Sequence, residues 1–78
     1  MEDIRSALRS HRLKMMEPYG LTERERQIVT LIVDGQTLGG IAEDLFISER
    51  TVKFHSKNAY DKLGVRSKKE LMQMFSEL

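Results

Sequence analysis

Lys53 and Lys57 stand four residues apart, with Arg50 one turn before them and Phe54 between, inside the stretch Ile47 to Val65 that reads ISERTVKFHSKNAYDKLGV. At about 100° per residue, Arg50, Lys53, Phe54 and Lys57 gather on one side of a helix, and Val52, His55, Ser56, Ala59 and Leu63 gather on the other. One side suits packing and the other suits contact with a polyanion, which is what a helix inserted into DNA needs. Ser48 is placed to cap the start of this helix and Gly64 to close it in a left-handed conformation, so the spacing predicts a helix from Glu49 to Leu63.

Other chemistries lack their parts. His55 has no Cys, Asp or Glu at ligand spacing within its helix and borders the packing side, so it reads as a structural or backbone-contacting residue, not as a metal ligand or an acid–base group. Ser6, Ser10, Thr30, Ser56 and Ser76 have no base or oxyanion partner arranged with them. Paired carboxylates and a glycine-rich phosphate loop are missing too, and the chain is not expected to be an enzyme or to need a cofactor or a metal. With no cysteine, disulfide frameworks and thiolate metal sites are excluded, which fits a reducing cytoplasm.

A chain of 78 residues closes one small core. Its longest apolar run, Ile28 to Val33, is interrupted by Thr30 and is too short to span a bilayer, and the N-terminus lacks the apolar stretch of a signal peptide. The expectation is a soluble, cytoplasmic domain. Its formal net charge of +1 conceals a division. From Ser48 to Lys69 seven basic residues (Arg50, Lys53, Lys57, Lys62, Arg66, Lys68, Lys69) face two acidic ones, whereas from Leu21 to Leu45 two basic residues face five acidic ones. A basic run is ordinarily a solvated helix face, but here most of the excess lies along one predicted helix and the segment after it.

The elements that would position this helix can be read in order. Residues Met1 to Glu17 carry Ile4, Ala7, Leu8, Met15 and Met16 among basic residues, a short amphipathic helix that Pro18, Tyr19 and Gly20 break. Thr22 and Glu25 have capping-box spacing before Ile28, Leu31 and Ile32, and Asp34 and Gly35 end that helix. A short helix from about Leu38 to Leu45 puts Ile41, Ala42 and Leu45 on one face, and Phe46, Ile47 and Ser48 join it tightly to the next. Ser67 and Glu70 make a second capping box ahead of Leu71, Met72, Phe75 and Leu78, the apolar face of a last helix. Met72 and Met74 read as core and interface filler, and Tyr19 and Tyr60 as packing between helices. No strand pattern is present, so the fold class is all-α: a four-helix domain containing a helix-turn-helix, with an extra N-terminal linker helix.

The residues LTERE at Leu21 to Glu25, Gly35, IAEDLFISERTVKFH from Ile41 to His55 and KLGVRSKKEL from Lys62 to Leu71 resemble the LuxR-type (NarL/FixJ-like) DNA-binding domain of bacterial transcriptional regulators. The likeness runs from Leu21 to about Phe75, some 70% of the chain, in the same order and spacing. It divides the chain into an N-terminal amphipathic segment or linker at 1–20 and a DNA-binding domain at 21–78, with the helix-turn-helix at about 38–57.

The resemblance implies roles. The helix at 38–45 becomes the scaffold and that at 49–63 the recognition helix in the major groove, with Lys53, Phe54 and Lys57 facing base edges. Lys53 and Lys57 then reach guanine O6 or N7 or nearby phosphates, and Phe54 either touches a thymine methyl or packs on lysine stems. Arg50, Thr51, Arg66, Ser67 and Lys68 fall where the backbone is held, the last pair at a helix N-terminus. In similar proteins the last helix pairs two domains, which nominates Leu71, Met74, Phe75 and Leu78, although some of these must serve the domain's own core.

The pattern departs from the family at Leu38, Gly39 and Gly40, where a polar residue, often a basic one, and then Glu are usual. Thr37 can still cap, but Gly40 cannot return a side-chain bond, and each glycine costs about 0.5–1 kcal/mol relative to alanine. The scaffold helix is therefore expected to start late or fray, and DNA binding to be weaker than in a typical relative. The function implied is sequence-specific binding of double-stranded DNA by a homodimer that regulates transcription, with RNA polymerase as a further candidate partner. The poorly capped start suggests an excised C-terminal output domain of a larger regulator, even a membrane-attached one, in preference to a stand-alone regulator. The competing reading is a protein-interaction module whose basic face meets an acidic polymerase subunit or regulator.

Overall fold

The computed structural model describes residue 14 and residues 16–75, and its helices begin where the capping side chains place them. Among the described residues four α-helices follow a 3-10 turn: α1 (Glu23–Val33), α2 (Leu38–Leu45), α3 (Glu49–Leu63) and α4 (Lys68–Met74). The architecture is all-α, with no strand among the described residues. Most of the expected N-terminal amphipathic helix falls on residues outside those described. Met16, at its end, belongs to the core at 1% exposed. The 3-10 turn Glu17–Tyr19, built on Pro18, ends at Gly20 in the left-handed region.

At α1 both bonds of the expected capping box form: Thr22 Oγ1 accepts from Glu25 N at 3.1 Å, and Glu25 Oε1 accepts from Thr22 N at 2.9 Å. The helix buries Ile28, Val29 and Ile32 and leaves Glu23 and Gln27 in solvent. α3 crosses α1 and α2, and Val52, Ala59 and Leu63 complete the core with Ile41, Ala42, Leu71 and Phe75. Full burial of an Ile or Leu side chain contributes about 1.5–3 kcal/mol, so this apolar cluster holds α3 in place.

Two expectations need correction. α2 does not start late: it runs from Leu38 directly after Thr37, whose hydroxyl accepts from Gly40 N at 3.1 Å. One cap bond and the burial of Ile41 and Ala42 outweigh the flexibility of Gly39 and Gly40. At α4 the second capping box is only half made. Ser67 Oγ accepts from Glu70 N at 3.2 Å, but Glu70 Oε2 accepts from Arg66 N at 2.9 Å instead of returning to the cap residue.

Three helices end in the same closure, in which one N–H bonds three residues back and the next N–H five residues back. Gly35 and Gln36 make it at α1, and Gly64 and Val65 at α3. At α2 the pair is Phe46 N to Glu43 O and Ile47 N to Ala42 O. The closure needs a left-handed residue, which glycine supplies at φ 94° and 76°, while Phe46 is forced to φ 57°. For an L side chain that conformation costs roughly 1–2 kcal/mol.

Candidate nucleic-acid interface

The interface is set by the cap at the start of α3. Ser48 Oγ accepts from Thr51 N at 3.1 Å and shares a 2.9 Å hydrogen bond with Thr51 Oγ1, which fixes the first turn. From there the helix presents two unlike sides. Val52 and Ala59 are fully buried, whereas Arg50, Lys53, Phe54 and Lys57 are exposed. His55 and Ser56 lie between, half-buried, and Ser56 Oγ donates to Lys53 O at 3.0 Å. Val52, Ala59 and Leu63 face inward and Arg50, Lys53, Phe54 and Lys57 outward, as helical periodicity predicts, while His55 and Ser56, expected on the packing side, stand at its margin.

Phe54 is 61% exposed, and its ring meets the His55 ring edge-on, with centroids 5.3 Å apart and planes at 73°. The outer part of the ring remains open to solvent. Thr51 is half-buried, with its hydroxyl already bonded to Ser48. Among the described residues no cluster of His, Cys, Asp and Glu could hold a metal ion, and no helix is long and apolar enough to cross a membrane.

A second cationic group lies at the start of α4, where Arg66, Ser67, Lys68 and Lys69 are all exposed. Two backbone N–H groups of this helix start, those of Arg66 and Glu70, are already bonded to side chains of the same turn. An anion there would meet the side chains of Arg66 and Lys68 more than a free row of N–H donors.

Lys62 separates from the basic set. Its ammonium donates to Glu25 Oε1 at 2.7 Å and lies 3.4 Å from Gly20 O, so it joins the end of α3 to the start of α1. The outward-facing cations of this region are therefore Arg50, Lys53, Lys57, Arg66, Lys68 and Lys69. In the sequence Glu25 reads as a capping residue and Lys62 as part of the charge excess; the pairing joins residues 37 apart, and no local pattern signals it. On the same helix, burial pushes the Tyr60 hydroxyl above its ordinary pKa, so it stays neutral.

The apolar residues expected to pair two domains are divided. Leu71 is fully buried and Phe75 is 4% exposed within the protomer, so both serve its core. Met74 is half-buried and Met72 is 37% exposed, while Leu78 lies outside the described residues.

Fold and surface together define a helix-turn-helix domain in which the second helix of the pair turns a cationic side outward. Residues 19–75 match the family model of bacterial regulatory proteins, luxR family, and the chain belongs to that family. Spore germination protein GerE of Bacillus subtilis (strain 168) is 48% identical to it over 50 residues, covering 64% of this chain and 68% of GerE. The HTH-type transcriptional regulator MalT of Serratia proteamaculans (strain 568) is 40% identical over 58 residues, covering 74% of this chain but only 6% of MalT, and MalT of Yersinia pestis (strain Pestoides F) matches to the same extent. No solved structure matches the chain. Membership places the chain among DNA-binding regulators of transcription.

Proposed function

We propose that this chain binds double-stranded DNA sequence-specifically as a homodimer and acts as the output domain of a larger cytoplasmic regulator. In this reading α3 enters the major groove, Lys53, Phe54 and Lys57 meet base edges, and Arg50, Thr51, Arg66, Ser67 and Lys68 hold phosphates. The observation that carries it is the exposure of Arg50, Lys53, Phe54 and Lys57 on one side of a helix whose other side is locked into the core by Val52, Ala59 and Leu63. A rigid cylinder with its cations turned outward can follow a groove without unfolding anything.

Dimerisation fits the energetics of such a face. Two base-directed lysines and about five phosphate contacts give a weak, salt-sensitive monomer complex, and a second half-site multiplies both affinity and discrimination. Met74 and Met72 are the apolar side chains of α4 at the protomer surface. The relatives span two arrangements, since the matched segment is most of GerE and a small part of MalT.

Selection of bound duplexes from a random pool tests the proposal. An enriched repeat with regular half-site spacing is the expected result. A pool without enrichment, bound with little dependence on salt, favours the protein-interaction reading and overturns this one.

A further inference from the structure

A groove of about 650 Å³ runs along α1, where Leu31 and Leu45 supply apolar lining and Glu17, Glu23 and Asp34 outnumber Arg26 among the charged residues. Leu31 and Leu45 pack against the core from outside and are only half-buried. From Glu23 to Asp34 the lining residues of α1 recur every three or four positions, so the groove follows that helix for about 16 Å at 1.5 Å per residue. None of the described cations of α3 or α4 lines it.

The segment that enters the domain beside this groove matches it in charge, pattern and length. Lys14 and Met16 are helical, Met16 is 1% exposed in the core, and Glu17 lines the groove. Residues 1–13 lie outside those described and before the luxR-family match, which begins at residue 19. At 100° per residue, Arg5, Arg9 and Arg12 fall on one strip of a helix in line with Met16, and Ile4, Leu8 and Met15 fall on the strip beside it. Residues 4–15 contain no Asp or Glu, and as a helix they also extend about 16 Å. Only Glu17 to Thr22 separate Met16 from α1, and connections this short ordinarily join antiparallel neighbours.

We infer that residues 4–15 dock as a helix along this groove, antiparallel to α1: Ile4 and Leu8 cover Leu31 and Leu45, and Arg5, Arg9 and Arg12 face the carboxylates at the rim. Charge favours this occupant, since a strip of arginines meets three carboxylates. The tether favours it too. Two half-buried leucines offer too little apolar surface to hold a separate protein, for which stable interfaces bury roughly 1,200 Å² or more. A segment joined at the rim avoids the entropy loss of bimolecular association and needs far less contact. Docked there, it bridges α1 and the end of α2 and is an added layer of the domain, not a linker. The inference stands apart from the DNA-binding reading, because no residue of the cationic face enters it.

The test uses the full chain. Nuclear Overhauser contacts between the methyl groups of Ile4 or Leu8 and those of Leu31 or Leu45 are expected, and in a mixture of isotope-labelled and unlabelled chains they should arise within one chain. Leu8→Asp should erase them and lower the melting temperature by about 4–8 °C. Arg9→Glu with Arg12→Glu should also lower it, and adding Glu23→Arg, which by itself weakens the start of α1, should recover part of the loss. Absence of the contacts in the unaltered chain overturns the inference, as does a Leu8→Asp variant that melts with the parent. Contacts that arise only between labelled and unlabelled chains make the occupant a second copy and overturn it as well. Simple addition of the Glu23→Arg loss to that of the arginine variant removes the charge pairing on which the choice of occupant depends.

Discussion

Lys62, in the last turn of α3, donates to Glu25 Oε1 at 2.7 Å in the first turn of α1, and the same carboxylate oxygen accepts from Thr22 N at 2.9 Å. One carboxylate, 3% exposed, thus caps the helix that begins the domain core and anchors the far end of the helix that carries the cationic face. The ion pair supplements the apolar contacts in setting where Lys53 and Lys57 stand, without touching the face they occupy.

The pair makes stability depend on acid pH. Burial alone would raise the Glu25 pKa, but the Lys62 hydrogen bond and charge and the Thr22 contacts outweigh it, so the carboxyl sits below its ordinary value. A lowered folded-state value means its contribution is complete above the ordinary glutamate pKa of about 4.3 and drains away as pH falls toward the folded value. Glu25→Gln should cost about 1–3 kcal/mol at neutral pH, less than a fully buried pair, because Lys62 is 37% exposed and partly screened. Urea unfolding at neutral and acid pH checks this: the gap between variant and parent should narrow in acid, and a constant gap refutes the assignment.

Lys62 and Arg66 lie four residues apart in the same basic run yet should behave oppositely toward salt. Arg66→Ala removes an exposed cation assigned to phosphate and should lower the slope of log K against log salt by about one. Lys62→Met should leave that slope unchanged while lowering stability, since its ammonium is held by Glu25. Binding titrations over a salt series, paired with thermal melts, separate the two; a reduced slope for Lys62→Met would return that residue to the DNA surface.

Lys53→Ala and Lys57→Ala should each weaken binding to the selected duplex by about 1–3 kcal/mol. Both side chains are exposed, so folding should be intact, and a circular dichroism melt provides the control. If neither variant changes affinity, α3 does not read bases with this face.

Most of this arrangement is legible locally. The bounds of α3 follow from Ser48 and Gly64, those of α1 from Thr22, Glu25 and Gly35, and the inward and outward sides of α3 from a period of 3.6 residues. What stayed hidden depends on residues distant in sequence or on competition between nearby partners. The partner of Lys62 is 37 residues away, and the Glu70 carboxylate chose Arg66 N over the cap residue, a matter of loop geometry that spacing does not encode. Leu71 and Phe75 share a helical face with candidates for a dimer surface, and only the packed core shows that they are used within the protomer.

Gly39 and Gly40 predict different responses to the same added methyl group. A Cβ at Gly39 meets nothing within 4 Å, whereas one at Gly40 comes 3.2 Å from Thr37 Oγ1, the cap of α2, and 3.4 Å from Gln36 Oε1. Gly39→Ala should stabilise the domain by about 0.5–1 kcal/mol through lost freedom of the unfolded chain. Gly40→Ala should yield less, and Gly40→Glu should raise the melting temperature only if the Thr37 hydroxyl shifts by a few tenths of an ångström and keeps its bond. Thermal melts of the three variants rank them; equal gains at both glycines would show that the cap yields freely.

Leu71 and Met74 should separate folding from self-association, although both lie on α4. Leu71 is fully enclosed, so Leu71→Ala opens a cavity and should cost about 2–5 kcal/mol. That loss should be the same at low and high protein concentration, because the cavity lies within one protomer. Met74 is only half-buried and Met72 more open, so a Met72→Lys, Met74→Lys variant should lose little intrinsic stability. If α4 pairs the domains, two lysines from each protomer then meet across the two-fold axis and oppose association. Sedimentation equilibrium with and without duplex should therefore show a monomer for the double variant and, under conditions where it stays folded, a dimer of unchanged association for Leu71→Ala. A double variant that still assembles on duplex as the parent does would move the pairing surface off α4.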